Sequence, residues 1–365
     1  MGVEARLERA RLLVLEAMLD PARWDAALEA IADACGARAG QLLAVDGARA
    51  VSGHWLTNVP DGFMGMIEAY GFANVSNPRF RAGLAAPLMT PVADQDYLSP
   101  EERRASAIYN EIYEPSDLPF NCQVVLQRDD SALVRASVTR TRKQGPLDAE
   151  AKRVFAAISP HLQAAVRMQA HLTATQNAAT LLTLDAVGAA AFLLSESGRV
   201  IGASAAGEAL AREGAALCMP GGMLRFCAHA DQGAYEAALA RIARRARAPA
   251  ALAPIPLTGA ALVLELQPLP RQRMSFVGAP AVLALLRPAK APERAHMLRN
   301  VFQLTRAEAE IALAMADGEP LEAIAARRDV AIATVRTQVQ AIYAKMDVHR
   351  QAELAAAVRR LGGEG

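Results

Sequence analysis

The stretch 330-VAIATVRTQVQAIYAKMDV-348 decides how the end of this chain folds. Val335, Val339, Ile342 and Met346 recur at helical spacing, and on a wheel of 100° per residue they fall in one narrow sector. Thr337, Gln340 and Ala344 lie opposite, with Arg336 on one flank and Gln338 and Lys345 on the other. From Ala331 to Met346 there is no acid. The spacing therefore predicts a helix with one greasy edge and a cationic, hydrogen-bonding face.

Upstream, Thr305 followed by Glu308 predicts a capping box, with Ile311, Ala312 and Met315 as the buried stripe and Gly318 as the stop. Pro320 lies near the start of a second short helix, whose Leu321, Ile324 and Ala325 face inward. A short helix, a tight turn and a longer helix make a helix-turn-helix. Its exposed face suits a major groove: arginine grips guanine O6/N7, glutamine pairs with adenine N6/N7, and a nearby acid would repel phosphate. A solvated helix face carries the same residue types, and helix-turn-helix geometry also occurs in bundles that bind nothing.

The residues from Leu304 to Leu361 resemble the DNA-binding domain of LuxR-type transcription regulators (LuxR/FixJ, GerE-like). Leu304-Thr305, Glu308, Gly318, Ile324-Ala325, Thr334-Val335-Arg336, Ile342, Lys345 and Met346 stand in that family's order and spacing. The resemblance implies that Arg336, Thr337 and Gln340 read bases, with Gln338 beside them on the same interface. It makes Thr334, Lys345 and Arg350 phosphate contacts, and helix 349-HRQAELAAAVRRL-361 a dimer contact. Three positions depart from the pattern: Gln338 replaces a usual His, Ala331 a common capping Ser, and Asp329 a frequent Gly. The lost cap costs about 0.5–2 kcal/mol of local helix stability. Asp tolerates a left-handed turn better than most residues.

The 365 residues exceed one ordinary domain, and 53% hydrophobic residues at a net charge of +1 describe a folded chain with no bulk attraction to polyanions. Any nucleic-acid footprint is then local. Cys35, Cys122, Cys218 and Cys227 form no C-x-x-C pair, which fits a reducing cytoplasm. The amino-terminal residues interleave Glu and Arg with apolar residues as an amphipathic helix rather than a signal peptide, and no apolar segment is long enough to span a bilayer.

The fold class expected is α+β and multidomain: two α+β sensory units, GAF-like and PAS-like, followed by an all-α four-helix helix-turn-helix domain. The boundaries read as 1–147 for the GAF-like unit, 148–184 for a connecting helix, 185–290 for the PAS-like unit, 291–300 for a linker and 301–365 for the helix-turn-helix. In the first unit, 122-CQVVLQR-128 and 132-ALVRASVTR-140 read as a hairpin around a DDS turn, and Ser99 with Glu102 caps a helix. From Leu147 to Leu184 helical spacing runs without a glycine, a length suited to a connector and a pairing surface between subunits. The segment 190-AAFLLSESGRVIGAS-204 resembles the opening hairpin of PAS sensors, with Ser204 where an Asn is usual. The Pro- and charge-rich 287-RPAKAPER-294 reads as the linker.

LuxR-type chains couple the DNA-binding domain to an input module, and no phosphorelay receiver is legible. Trp55, Tyr70, Phe72, Tyr97, Tyr109 and Tyr113 are candidates to line a ligand pocket, because amphipathic aromatics combine apolar walls with a polar tip; packing in the core is the commoner fate of such residues. The segment 55-WLTNVPDGFMGMIEAYGFANVSNP-78 resembles acyl-homoserine-lactone sensors distantly, with Asn77 in place of their Asp. Cofactors are expected to be none, with an unidentified small-molecule effector. Ser204 misses the nucleophile-elbow spacing by one residue, Cys218, Cys227 and His229 lack ligand-pair spacing, and His161 reads as a helix residue before a haem ligand.

The reading is a cytoplasmic, dimeric, non-enzymatic regulator binding double-stranded DNA. The alternative is a sensor that acts by protein contact through a degenerate helix-turn-helix.

Overall fold

The computed structural model describes residues 2–46, 51–71, 73–129, 132–243, 252–258, 260, 262–270 and 279–361. Phe72, the DDS turn beyond Asp129 and Gly259 of the later TG turn lie outside them. The chain is α+β with antiparallel sheets and a carboxyl-terminal helical domain. It divides into two compact units, one holding residues up to Gln176 and the other Asn177–Pro270 with the residues from Pro280 onward.

The first unit opens with α1 (Val3–Leu19) and α2 (Trp24–Ala34). Between them the Asp20 carboxylate accepts Ala22 N at 3.0 Å and Pro21 leads a 3-10 turn. Strands β1 (Ala39–Asp46) and β2 (Val51–Leu56) follow, then α3 (Phe63–Tyr70), α4 (Pro78–Ala85), β3 (Val92–Ala93), α5 (Asp94–Tyr97) and α6 (Pro100–Ala105). A π-helical turn at Tyr109–Tyr113 leads into the hairpin β4 (Phe120–Arg128) and β5 (Ala132–Arg140). The sheet order is β2-β1-β5-β4-β3, antiparallel throughout. Gly40 lets α2 press on β1, since a Cβ there would lie 2.4 Å from Leu28 O.

Strand pleating sends alternate residues to opposite faces. Leu42, Ala44, Val124, Leu126, Val134, Ala136 and Val138 join Ala10 and Val14 of α1, Leu28 of α2 and Phe155, Ile158 and Leu162 of the next helix in one dry core. That helix, α7 (Ala149–Ala186), runs 38 residues, as its uninterrupted spacing predicts. Pro160 lies inside it, and the Ser159 hydroxyl donates to Phe155 O at 2.8 Å.

The second unit holds β6 (Ala190–Leu194), β7 (Val200–Ala203), α8 (Ala205–Glu213), the short pair β8 (Leu217–Cys218) and β9 (Arg225–Phe226), and α9 (His229–Ala243). Next come β10 (Ile255–Pro256), β11 (Leu262–Pro268) and β12 (Val282–Pro288). Their five-stranded sheet runs β10-β11-β12-β6-β7. Counted within its own set, that is the strand order of the first sheet, a kinship of topology that no sequence repeat announces. Ser204 ties the start of β6 to the helix that follows β7. Its hydroxyl caps α8 by accepting Gly207 N at 3.1 Å, accepts Ala191 N, and donates to Ala189 O.

The last helices are α10 (Ala291–Phe302), α11 (Arg306–Ala316), α12 (Leu321–Arg327), α13 (Ile332–Met346) and α14 (Gln351–Leu361). Residues 291–300, read as a linker, are thus helical. Pro292 is tolerated in the first turn, Glu293 sits at the positive end of the helix, and Met297 and Leu298 are buried. Among the described residues no helix is long and apolar enough to cross a membrane.

Candidate nucleic-acid interface and a polar cavity

The capping box that opens α11 forms as the sequence predicts: Thr305 Oγ1 accepts Glu308 N at 3.2 Å, and the Glu308 carboxylate accepts Thr305 N at 2.7 Å. The turn between α12 and α13 places Asp329 at φ 52°, in the left-handed region that glycine favours. Helix α13 begins after Ala331 with no side-chain cap. Its stripe is the expected one: Val335 and Ile342 are fully buried and Val339 and Met346 nearly so, packed with Ile311, Ala312, Met315, Ile324 and Leu354.

With that edge anchored, Thr334, Arg336, Thr337 and Gln340 are exposed and Gln338 is half-buried. Among the described residues, Arg336, Gln338 and Gln340 make no side-chain hydrogen bond or ion pair. Their donors and acceptors are available to an outside partner. Thr337 Oγ1 donates to Ala333 O at 3.1 Å, so the oxygen's lone pairs and the methyl face outward.

Lys345 is placed differently from a free phosphate contact. Its Nζ donates to Glu308 Oε2 at 2.7 Å and ties α13 to the first turn of α11. Burial pushes the Glu308 carboxyl up, but hydrogen bonds from Lys345 and Thr305 outweigh it and hold the group below the usual range. Arg350 is exposed, 3.9 Å from Glu353. Helix α14 turns Leu354, Ala357 and Val358 inward, with Ala352 exposed on its other side.

Sequence reasoning missed the carboxylate clamp on Arg287. Arg287, on β12, donates to Glu265 of β11 at 2.6 Å and with both terminal nitrogens to Glu293 of α10 at 2.7 and 2.8 Å. The Arg287 guanidinium brings the Glu293 carboxyl down to about 2. Proximity to both acids joins the second sheet to the helix leading into the helix-turn-helix.

In the first unit, the face of the sheet opposite the dry core carries Gln41, Asn121, Gln123, Arg135, Ser137 and Thr139, which the strand register sets side by side. Helix α4 adds Arg79. Asn77 caps α4 by accepting Arg79 N at 3.0 Å and donates to Tyr113 OH at 2.9 Å. Arg79 donates to Asp94 at 3.2 Å, to Tyr109 OH at 3.2 Å and to Leu118 O at 2.9 Å, and its guanidinium lies 3.6 Å from the Tyr113 ring centre. Burial alone would lower the Arg79 pKa; Asp94 reverses that and raises it. Asp94 also accepts Tyr97 OH at 2.5 Å and Asn121 N at 3.0 Å. Burial first, then Asp94, pushes the Tyr97 hydroxyl well up.

A cavity of about 30 Å³ opens beside this cluster, lined by Gln41, Asn77, Arg79, Asn121, Arg135 and Thr139 with apolar walls from Leu56, Phe63, Ile67 and Tyr113. Of the aromatics singled out in the sequence, Tyr113 lines it, Tyr109 lies one contact behind through Arg79, and Tyr97 two contacts behind through Asp94 and Arg79. Tyr70 packs against the same apolar cluster as Phe63 and Ile67. Trp55 is elsewhere: it points into the dry core, 6.3 Å ring to ring from Trp24. The neighbouring His54, whose Nε2 lies 2.8 Å from Gln41 Nε2, is held down at about 4 by burial and then by Arg135.

Among the described residues no group of His, Cys, Asp and Glu could hold a metal ion. Cys227 is exposed and donates to Gly214 O at 3.3 Å, while Cys35 and Cys122 are buried.

Residues 303–358 match the family model described as GerE, bacterial regulatory proteins, luxR family. No curated protein matches the chain. Among solved structures, the VqsR LBD domain from Pseudomonas aeruginosa aligns at 14% identity and a TM-score of 0.36, covering 43% of this chain and 92% of its own. The E. coli DhaR(N)–DhaL complex aligns at 13% identity and a TM-score of 0.24, covering 79% of this chain and 91% of its own. At these scores neither likeness establishes a shared fold.

Proposed function

Because residues 303–358 match the model of the luxR family of bacterial regulatory proteins, we propose that the protein is a transcription regulator. It binds duplex DNA as a dimer through α13 and adjusts that binding to a small molecule held in the polar cavity of its first unit. The observation that carries the reading is the outward, acid-free face of α13, with Arg336 and Gln340 unengaged on a helix fixed by its opposite edge. Arg336, Thr337 and Gln340 then read base edges, with Gln338 at the margin, and Thr334, Lys345 and Arg350 hold phosphates. Lys345 does so while bound to Glu308, which fixes the angle of the recognition helix. Helix α14 is the pairing surface. Half-sites about 34 Å apart suit two such heads, so a change in their spacing changes affinity.

The test is a titration of the full chain with duplex DNA at several salt concentrations. Affinity should fall with salt, log K against log salt sloping by about −0.9 for each phosphate neutralised. Arg336→Ala should cost about 1–3 kcal/mol of discrimination at one base position, and Lys345→Ala should weaken all sequences alike. Negligible, salt-independent binding would favour the protein-contact reading instead. Equal, sequence-blind losses from both substitutions would remove the reader roles.

A further inference from the structure

The first unit buries a guanidinium that has no acid of its own. Arg135, in the middle of β5 and 5% exposed, donates through Nη1 to the Gln123 side-chain oxygen and to Arg79 O at 3.4 Å. Both acceptors are neutral, and its Nε is buried with no hydrogen-bond partner among the described residues. Asp94 is the only buried acid among the described residues of this unit, and Arg79, Tyr97 and Asn121 N already occupy it. Two cations therefore share one anion. Helix α4 closes over the site at Gly83, where a Cβ would lie 3.3 Å from Arg135 Cδ.

We propose that the cavity takes a small carboxylate, gripped by Arg135, and that this is the ligand class of the sensory site proposed above, on which reading the inference rests. A carboxylate matches the fork of a guanidinium, and it supplies the missing charge where an unpaired buried ion is costly. Asn121 contributes a second point of contact. Its side-chain oxygen is buried without a donor, while its amide nitrogen donates to Thr139 Oγ1 at 3.2 Å. Turning that amide end for end offers an N–H to the ligand and lets the Thr139 hydroxyl donate to the oxygen. A space of about 30 Å³ holds about two waters, which is the size of formate or acetate.

Thermal unfolding of the full chain in sodium formate, sodium acetate, acetamide and sodium chloride at matched ionic strength tests the proposal. Formate and acetate should raise the midpoint saturably, and at a hundredfold excess over Kd the folded-to-unfolded ratio should rise about a hundredfold. Acetamide, which has acetate's shape without its charge, and chloride should leave the midpoint unchanged. Equal responses to acetate and acetamide, or to acetate and chloride, overturn the proposal, as does no response to either acid. Arg135→Met, measured against its own midpoint without ligand, should lose the acetate response; a response that survives the substitution also overturns it. Should that variant not fold, the comparison of acetate with acetamide on the unaltered chain still decides. DNA affinity is read separately: acetate binding that leaves it unchanged removes the sensory role and keeps the site.

Discussion

The two faces of the first sheet are built from the same strands and have opposite chemistry. One face, from Leu42 through Val124 and Val134 to Val138, is apolar and packs with residues of α1, α2 and α7, with the Arg140 guanidinium buried at its margin against Cys35 O. The other carries Gln41, Gln123, Arg135, Ser137 and Thr139 under α3, α4 and the π-helical turn. Alternation alone puts them there, because a residue's neighbour in sequence is its opposite in space. The dry face gains from every apolar group it buries. The polar face loses stability with each donor or acceptor left unmet, as Arg135 Nε and Asn121 Oδ1 are among the described residues, which makes it the natural place for a ligand.

The largest effect should come from breaking the dry face. Phe155→Ala removes a fully buried ring and should cost about 3–5 kcal/mol in urea unfolding. A loss below about 1 kcal/mol would mean that α7 is not part of that core. On the polar face, Asp94→Asn leaves the Arg79 guanidinium without its carboxylate, and such breakage of a buried pair costs about 3–5 kcal/mol. The paired substitution of Asp94→Asn with Arg79→Met should cost less than Asp94→Asn alone, because no buried charge is then stranded. A fully additive loss would show that packing, not charge, dominates there.

The smallest effect is a pH dependence at the edge of the polar face. The folded chain holds His54 at about 4, below its ordinary 6.5, so below pH 6.5 the unfolded chain takes up a proton that the folded chain refuses. Stability should therefore be full above pH 6.5, decline as the pH falls towards about 4, and gain no further slope from this group below that. His54→Gln should flatten that part of the stability profile relative to the unaltered chain. An identical slope in both would assign it to other groups.

Much of the helix-turn-helix was legible because its signals are local. The Val335-to-Met346 stripe, the Thr305–Glu308 box and the left-handed Asp329 each depend on residues within a few positions of one another. The linker reading failed for a related reason. Pro292 and a cluster of charges look like a break, yet Pro suits a first turn, and Arg287 draws Glu293 into a bridge that no residue count reveals. The aromatic list misplaced Trp55, although its position beside His54 and Leu56 on one strand already implied that it faces away from them.

The chain's own periodicity, caps and turn residues determined that it would make an α+β body and end in a helix-turn-helix, and which edge of α13 would be buried, since a helix or strand sorts its faces within one turn or two residues. Tertiary structure alone decided that Lys345 would meet Glu308, that Arg79 would find Asp94, and that Arg135 would stay without an acid. Each of those outcomes depends on which distant segments come together, and for Arg79 and Arg135 on a buried volume where water no longer screens the charge.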